Sequence, residues 1–332
     1  MYRISAQRLT LFFTGCLVGA LPCNALAQEN RTSEEKDSSF FSFLDKPQKA
    51  ISSRFETFVR RTDEFFANEK VFYDTTGSYI KLTGEVTYFE AGVRGYYNDF
   101  KIKARLPVTE KKVSLLLESN PGEEEEEIEK ALQETPREAV QEVDYFAGVQ
   151  TTLGEKRTWE IKPSLGVKLG DPIDYYTRLR ITREVPLGIG TFQFKQAFYW
   201  FDSSGWESDT AAEFNFPFRN SLLLRSTSGI NWQEQTDDAD WPEDEYKISL
   251  RQIFSLTHKL SERRAISYQA GFYGDNNPHV HTTHYVLSTH YRQNLHDDYL
   301  FMDLIPRVTY RKQSDFQAEY SFTFRLEMVF KD

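Results

Sequence analysis

The sequence has no long apolar stretch after its N-terminal region, and this lack excludes transmembrane helices from the rest of the chain. Its mean hydropathy is −0.57 and 27% of its 332 residues are charged. The formal net charge of −10 argues against nucleic-acid binding, which needs a basic surface. Cysteine is scarce as well, with only two residues in the chain.

The N-terminal region has the pattern of a secretory signal peptide. Arg3 and Arg8 form a positive start, residues 9–21 are an apolar run of about thirteen residues, and residues 25–27 read Ala-Leu-Ala. We therefore expect residues 1–27 to be removed, together with Cys16 and Cys23. A mature chain without cysteine has no disulfides, thiolate metal sites or cysteine catalysis. The alternative is a lipoprotein signal ending at Cys16, for which the apolar run is much shorter.

Aromatic residues are abundant, and their spacing predicts strands. They make up 15% of the chain, with 27 Phe and 18 Tyr, which argues against disorder. Residues 316–330 alternate between apolar and polar side chains almost throughout, and Val329 is the one break in the polar set. Because successive side chains of a strand point to opposite faces, this segment has one aromatic face and one charged face. Such a strand suits a wall between lipid and a polar interior.

The same alternation recurs from residue 78 onward and predicts an all-β, transmembrane, antiparallel up-and-down barrel over residues 78–332. We count about fourteen strands, and twelve is the alternative if the first two candidates are one bent element or lie outside the wall. The predicted strands are 78–89, 97–107, 112–119, 143–153, 157–169, 173–186, 190–201, 209–217, 220–233, 245–258, 264–274, 282–294, 299–311 and 316–330. Short connections alternate with long or acidic ones, such as 120–142, 202–208, 236–244 and 276–281, as in barrels whose longer loops face outward.

Residues 28–77 are predicted to be a periplasmic leader that contains one amphipathic helix at about 46–69. Asp45 is a candidate N-cap before Lys46-Pro47, and apolar residues follow at helical spacing. They are Ile51, Phe55, Phe58, Val59, Phe65 and Phe66. One interpretation packs this helix against the barrel rim or in its mouth. The other has it dock a partner or the membrane surface through its basic edge.

Many cations share the inward parity of the predicted strands. The lumen-lining candidates are Lys101, Lys103, Arg105, Lys162, Arg178, Arg180, Arg225, Lys247, Arg251, Arg307 and Arg325. Rings of Arg and Lys favour anions in pores, so this set predicts a path for small polar or anionic solutes. Carboxylates such as Glu118, Glu213 and Glu327 share the inward parity. The alternative is therefore a wall stiffened by ion pairs between strands.

The sequence offers no convincing catalytic or metal-binding set. His284, Ser288 and His290 share an inward parity, whereas a barrel lipase needs its Ser-His pair on the lipid side. His279 and His281 lack a third ligand in register. The acidic run at residues 123–127 is more typical of a solvated loop than of a cation site. We predict no catalytic residue, no metal and no cofactor.

The signal sequence, the strand pattern from residue 78 and the aromatic final strand together resemble Gram-negative outer-membrane β-barrel proteins. The resemblance implies a location in the outer membrane, contact with its lipid and lipopolysaccharide, and insertion by the barrel assembly machinery. The chain departs from the family's terminal phenylalanine, because Lys331 and Asp332 follow Phe330. The resemblance identifies no subfamily, solute or oligomeric state. It leaves a passive channel and a scaffold barrel as the two main functions, with an outer-membrane hydrolase as a distant third.

Overall fold

In a computed structural model, the chain forms fourteen strands that close into one antiparallel barrel. The structure describes residues 61–62, 65–66, 78–90, 92, 94–105, 113–119, 145–153, 159–169, 173–219, 221–234, 246–277, 279–297 and 299–331. For Arg94, Tyr97, Arg105, Arg219 and Lys331 it describes the backbone only. The predicted signal peptide, the acidic run at 123–127 and most of the predicted helix at 46–69 lie outside these residues.

The strands are β1 Tyr79–Phe89, β2 Arg94–Arg105, β3 Val113–Ser119, β4 Tyr145–Thr151, β5 Glu160–Leu169, β6 Asp174–Leu187, β7 Gly190–Phe201, β8 Gly205–Arg219, β9 Leu222–Gln233, β10 Lys247–Ser261, β11 Arg264–Asp275, β12 His281–His296, β13 Leu300–Arg311 and β14 Ala318–Lys331. A short 3-10 turn, Lys312–Ser314, follows β13. Arg61, Thr62, Phe65 and Phe66 are helical, and we call these four residues the N-terminal segment. Within the part of the chain that the structure describes, no helix has the length and apolar character needed to cross a membrane.

Each strand pairs with its neighbours in sequence, and β1 closes the barrel by pairing with β14. The closing register places Tyr79 opposite Lys331 and Phe89 opposite Ser321. The prediction of fourteen antiparallel strands is confirmed. The alternative of twelve is wrong, because β1 and β2 are separate strands that pair from Tyr79 opposite Lys103 to Tyr88 opposite Arg94.

The two ends of the barrel differ in their connections. We call proximal the end at which β1 begins and β14 ends, and distal the opposite end. The connections 120–144 and 234–246 join strands at the distal end, whereas the turns 188–189 and 262–263 are proximal. The two longest connections are therefore distal, as predicted, although the distal end also has short ones such as 90–93 and 170–173.

One predicted distal connection, 202–208, is shorter than expected. β8 already begins at Gly205, so only residues 202–204 connect it with β7, and Trp206 lies opposite Trp200. The sequence did not predict this part of the strand, because polar residues such as Glu207 and Ser208 are typical of loops. Their strand conformation is fixed by pairing with β7 and β9.

The two faces of β14 separate as the alternation predicts. Tyr320, Phe322 and Phe330 point outward and are 40–55% exposed on the bare barrel wall. Thr323 and Glu327 point inward and are 4% and 1% exposed. The outer face is thus an aromatic and aliphatic band, while the inner face carries polar groups that contact other side chains.

Polar side chains also occur at mid-height on the outer face of β7 to β10, and they are satisfied locally. Gln196 accepts a hydrogen bond from Thr210 at 2.7 Å and donates one to Ser208 Oγ at 2.9 Å. Gln252 donates to Ser226 Oγ at 3.1 Å and accepts a hydrogen bond from Ser228. Amides that face lipid need such partners, because the hydrocarbon region supplies none.

The orientation of β14 predicts that a charge on its outer face costs more at mid-height than near an end. Phe324→Lys, at the middle of the strand, should lower the free energy of unfolding by about 2–4 kcal/mol. Phe330→Lys, on the same face near the proximal end, should lower it by about 0–1 kcal/mol. Urea unfolding from phospholipid vesicles, followed by heat-modifiable gel migration, measures both. Equal losses at the two positions would contradict the proposed depth of the strand.

Candidate functional site: the charged interior of the barrel

Inward positions of the strands place most of the predicted cations inside the barrel. Lys101, Lys103, Lys162, Arg178 and Arg251 are buried there. The half-buried candidates are Arg180, Arg225, Lys247, Arg307 and Arg325, whereas the side chain of Arg105 lies outside the description. Carboxylates from the same or other strands share the interior and pair with several of these cations, as Glu118 does with Arg178 and Asp209 with Arg251.

A chain of ion pairs joins β12, β13, β14 and β1 across the seam that closes the barrel. Arg292 Nη1 lies 3.0 Å from Asp303 Oδ2, and its other terminal nitrogen pairs with Glu327. Lys81 Nζ lies 3.1 Å from Glu327 Oε2 on the far side of the seam. Buried charges are tolerated when they are paired and hydrogen-bonded, and here each carboxylate meets at least one cation.

A second seam contact lies nearer the middle of the barrel. Arg325 Nε donates a hydrogen bond to Glu85 Oε2 at 2.8 Å, and these two residues are directly opposed in the β1–β14 register. The hydroxyls of Thr87 and Thr323, also opposed, lie 2.7 Å apart. Side chains therefore reinforce the closure that the backbone makes.

Two further ion pairs span intervening strands. Arg178 on β6 reaches Glu118 on β3 with 3.2 Å between Nη2 and Oε1, and it donates from Nε to Ser164 Oγ at 3.0 Å on the way. Arg251 on β10 reaches Asp209 on β8, with Nη2 at 2.9 Å from both carboxylate oxygens. The long side chain of arginine is what allows these pairs to form across strands that are not adjacent.

The pair between Arg251 and Asp209 depends on the absence of a side chain at Gly229 of β9. A Cβ atom at Gly229 would lie 2.6 Å from Arg251 Nε and 2.8 Å from Arg251 Cγ. The guanidinium stem therefore lies directly over the glycine, which explains why this strand tolerates a glycine in its interior.

The proximal end of the lumen has an apolar inner layer. Tyr79, Leu116, Phe301 and Val329 form a buried cluster, and Phe65 of the N-terminal segment packs against it. Val329 is the residue that breaks the polar parity of the last strand, and the cluster gives the physical reason for that break. The ring of Phe65 meets the ring of Phe301 edge-on, with 5.9 Å between centroids.

The N-terminal segment lies inside the proximal mouth of the barrel. Thr62 and Phe66 are buried, and the ring of Phe66 lies 5.0 Å from that of His290. At the proximal turn after β10, the hydrogen bond from Lys259 and its charge lower the pKa of Glu262, and the charge of Arg61 adds to this lowering. Phe66 thus packs against an interior side chain and Arg61 acts electrostatically at the rim, while the packing of the whole helix at 46–69 stays a prediction.

A cavity of about 130 Å³ remains between the N-terminal segment and the inner face of β9 to β14. Three arginines line it, Arg225, Arg307 and Arg325, and no carboxylate is among the described residues at its surface. Arg225 is held by Asn215, which accepts a hydrogen bond at 2.7 Å. The described part of the interior thus contains packed ion pairs and a basic space.

The histidines and Ser288 form structural contacts in the barrel wall. Ser288 donates a hydrogen bond to Gln269 Oε1 at 3.2 Å, and His290 Nε2 lies 3.2 Å from Asp303 Oδ1. His284 stacks on Tyr273 with 4.4 Å between ring centroids. Among the residues that the structure describes, no group of three His, Cys, Asp or Glu side chains could hold a metal ion.

Comparisons with known proteins agree with the architecture but add little to it. No protein-family model matches the chain, and no curated protein matches it. Among solved structures, it is similar to an anion-selective porin from Comamonas acidovorans, with 6% identity, 76% of this chain and 98% of that chain covered and a TM-score of 0.47. It is also similar to the outer membrane channel DcaP of Acinetobacter baumannii, with 7% identity, coverage of 76% and 96% and a TM-score of 0.45.

A third similar structure is the NanC porin, with 9% identity, coverage of 74% and 98% and a TM-score of 0.39. These likenesses are too weak in identity and TM-score to carry an argument. The architecture rests on the barrel itself, which has an even number of antiparallel strands, an apolar outside and a charged inside. It is the architecture of a Gram-negative outer-membrane β-barrel protein.

The contact over Gly229 predicts a stability defect from a single methyl group. Gly229→Ala should displace Arg251 from Asp209 and lower the free energy of unfolding by about 3 kcal/mol, because it leaves buried charges unpaired. Gly188→Ala is the matched control, since a Cβ at Gly188 has no atom within 4 Å. Urea unfolding from vesicles measures both. A defect of equal size in the two variants would show that Arg251 does not need the space over Gly229.

Proposed function

We propose that this protein is an outer-membrane facilitator that passes small anionic solutes through its cation-lined interior. The cavity between Arg225, Arg307 and Arg325 carries this proposal, because it is a basic space without a carboxylate on its described surface. Low-dielectric walls strengthen the field of such cations and concentrate anions beside them. The predicted signal peptide and the apolar outer band support a location in the outer membrane.

The path that we propose for the solute is narrow and selective, because packed side chains fill much of the interior. Arg178, Arg251 and Arg292 are almost completely buried and ion-paired, so we assign them to stabilising the wall and not to contacting the solute. The half-buried arginines at the cavity are the residues that a solute meets. We extend the proposal to partners: lipid and lipopolysaccharide around the wall, and the barrel assembly machinery during insertion.

The interior also argues against a hydrolase. Ser288 donates its hydroxyl hydrogen to Gln269, and His284 stacks on Tyr273 with its Nδ1 3.0 Å from the hydroxyl of the adjacent Thr283, not from that of Ser288. A Ser-His hydrolase needs the serine within hydrogen-bond reach of the imidazole. We therefore assign these side chains to the wall and propose no enzymatic role.

A scaffold barrel without transport is the second candidate, and one observation favours it. The N-terminal segment places Phe65 and Phe66 inside the proximal mouth, where they contact Phe301 and His290. Together with the ion pairs between strands, this segment could close the lumen permanently. The two functions differ in whether the interior conducts at all.

The first test is ion selectivity in a planar bilayer. The purified mature protein should conduct, and its reversal potential in a potassium chloride gradient should indicate preference for chloride. Arg225→Gln combined with Arg325→Gln should shift the potential toward cation preference, because two cations are removed and Glu213 and Glu85 each lose an arginine partner. Lys312→Gln, in the exposed 3-10 turn, is the control and should change nothing. Unchanged selectivity in the double variant would contradict a path along these arginines.

The second test separates a facilitator from a permanently closed scaffold. Phe66→Ala removes a buried ring at the cavity and should raise single-channel conductance, because the ring narrows the proximal mouth. Phe316→Ala, which removes an exposed ring after the 3-10 turn, should leave conductance as it is. If wild type and both variants stay silent while folded, the scaffold function is supported instead.

A further inference from the structure

The basic cavity contains one cation whose surroundings differ from those of the other interior arginines. Among the described residues, no hydrogen-bond acceptor or carboxylate pairs with Arg307, and its Nε is buried without a partner. Glu85 is the carboxylate that attracts it electrostatically, but Glu85 already accepts a hydrogen bond from Arg325 at 2.8 Å. The charges of Arg325 and Arg311 also act on it, and both repel it.

This arrangement leaves positive charge uncompensated in a confined space. A guanidinium nitrogen buried without an acceptor loses its hydration and gains nothing in return, so such groups are paired in most proteins. An oxyanion would supply the missing acceptors, because the planar fork of arginine matches the oxygens of carboxylate and phosphate. An oxyanion beside Arg307 would therefore compensate its charge and supply its Nε with an acceptor.

Polar groups that can complete an anion's coordination line the same cavity. Ser288 donates to Gln269 Oε1 at 3.2 Å, which leaves the NH₂ group of Gln269 as a donor for a ligand. Ser255 lies on the adjacent inner face of β10 and supplies a hydroxyl. Phe66 and Ile305 form apolar parts of the wall. The site thus combines donors for oxygen with a small apolar surface.

The size of the cavity limits the ligand. Its volume of about 130 Å³ holds several water molecules. It is well below the roughly 300–1,000 Å³ of pockets for drug-sized ligands. A phosphate or a short carboxylate fits this volume, whereas an oligosaccharide does not.

We infer that Arg307 is the centre of a binding site for one small oxyanion, a phosphate or a short-chain carboxylate, inside the barrel. The inference rests on the proposed function in that it names the solute class of the same interior. It is tested by binding, which does not require that the barrel conducts.

Isothermal titration of the mature protein in detergent at low salt, with inorganic phosphate and with propionate, tests the site. Both anions should bind, and propionamide, the neutral analogue of propionate, should not. Arg307→Met should weaken binding by about tenfold or more, because a charge-assisted hydrogen bond is lost. The control is Lys312→Met, in the exposed 3-10 turn after the same strand and away from the cavity, which should bind like wild type.

The outcomes distinguish this inference from the proposed function. Wild-type affinity in a folded Arg307→Met variant, absence of binding by either anion, or equal binding of propionamide would each overturn the site. If Arg307→Met does not fold, the propionate and propionamide titrations of wild type decide, supported by Arg307→Lys, which should bind propionate more weakly than wild type. Binding that depends on Arg307 in a protein that never conducts would keep the site and reject the facilitator.

Discussion

The pairing of β1 with β14 is the constraint on which the rest of the molecule depends. In a bilayer every backbone N–H and C=O needs an internal partner, and closure is the only way for a sheet to provide one for its edge strands. Closure also divides the side chains into two sets, because alternate residues then face either lipid or a shared interior. Glu85 and Arg325, directly opposed across the seam, show how the inner set reinforces the closure.

Because alternate side chains of every strand face inward, many charged groups share one confined interior. Charges that cannot face lipid are placed inward, where a low dielectric makes unpaired charge costly. Arg178 and Arg251 meet this demand by reaching carboxylates two or three strands away, over Ser164 and Gly229. The buried members of the predicted set, such as Arg178 and Arg251, are consequently part of the wall. The space that remains is basic because its described surface holds three arginines and no carboxylate.

Period-two patterning was sufficient to predict the fold from the sequence. The alternation of apolar and polar residues in strands such as β14 specifies both strand and face, so fourteen strands and the inward side of Lys101, Arg178 and Arg251 could be predicted. The pattern cannot specify which strands' side chains meet. Arg178 and Glu118 are 60 positions apart, and only the barrel brings them together. Val329 interrupts the polar parity of β14, but this break alone does not predict the apolar inner layer against which Phe65 packs. That layer also needs residues from other segments, which are Tyr79, Leu116 and Phe301.

The proposed function requires that the interior carry small anions across the membrane. Swelling of proteoliposomes tests it most directly, with valinomycin present so that potassium entry is not limiting and the rate depends on the anion. A path for small anions predicts rapid swelling in isosmotic potassium phosphate and slow swelling in the potassium salt of an acidic oligosaccharide, which exceeds the cavity. Equal rates in the two salts, or none above those of protein-free vesicles, would contradict it.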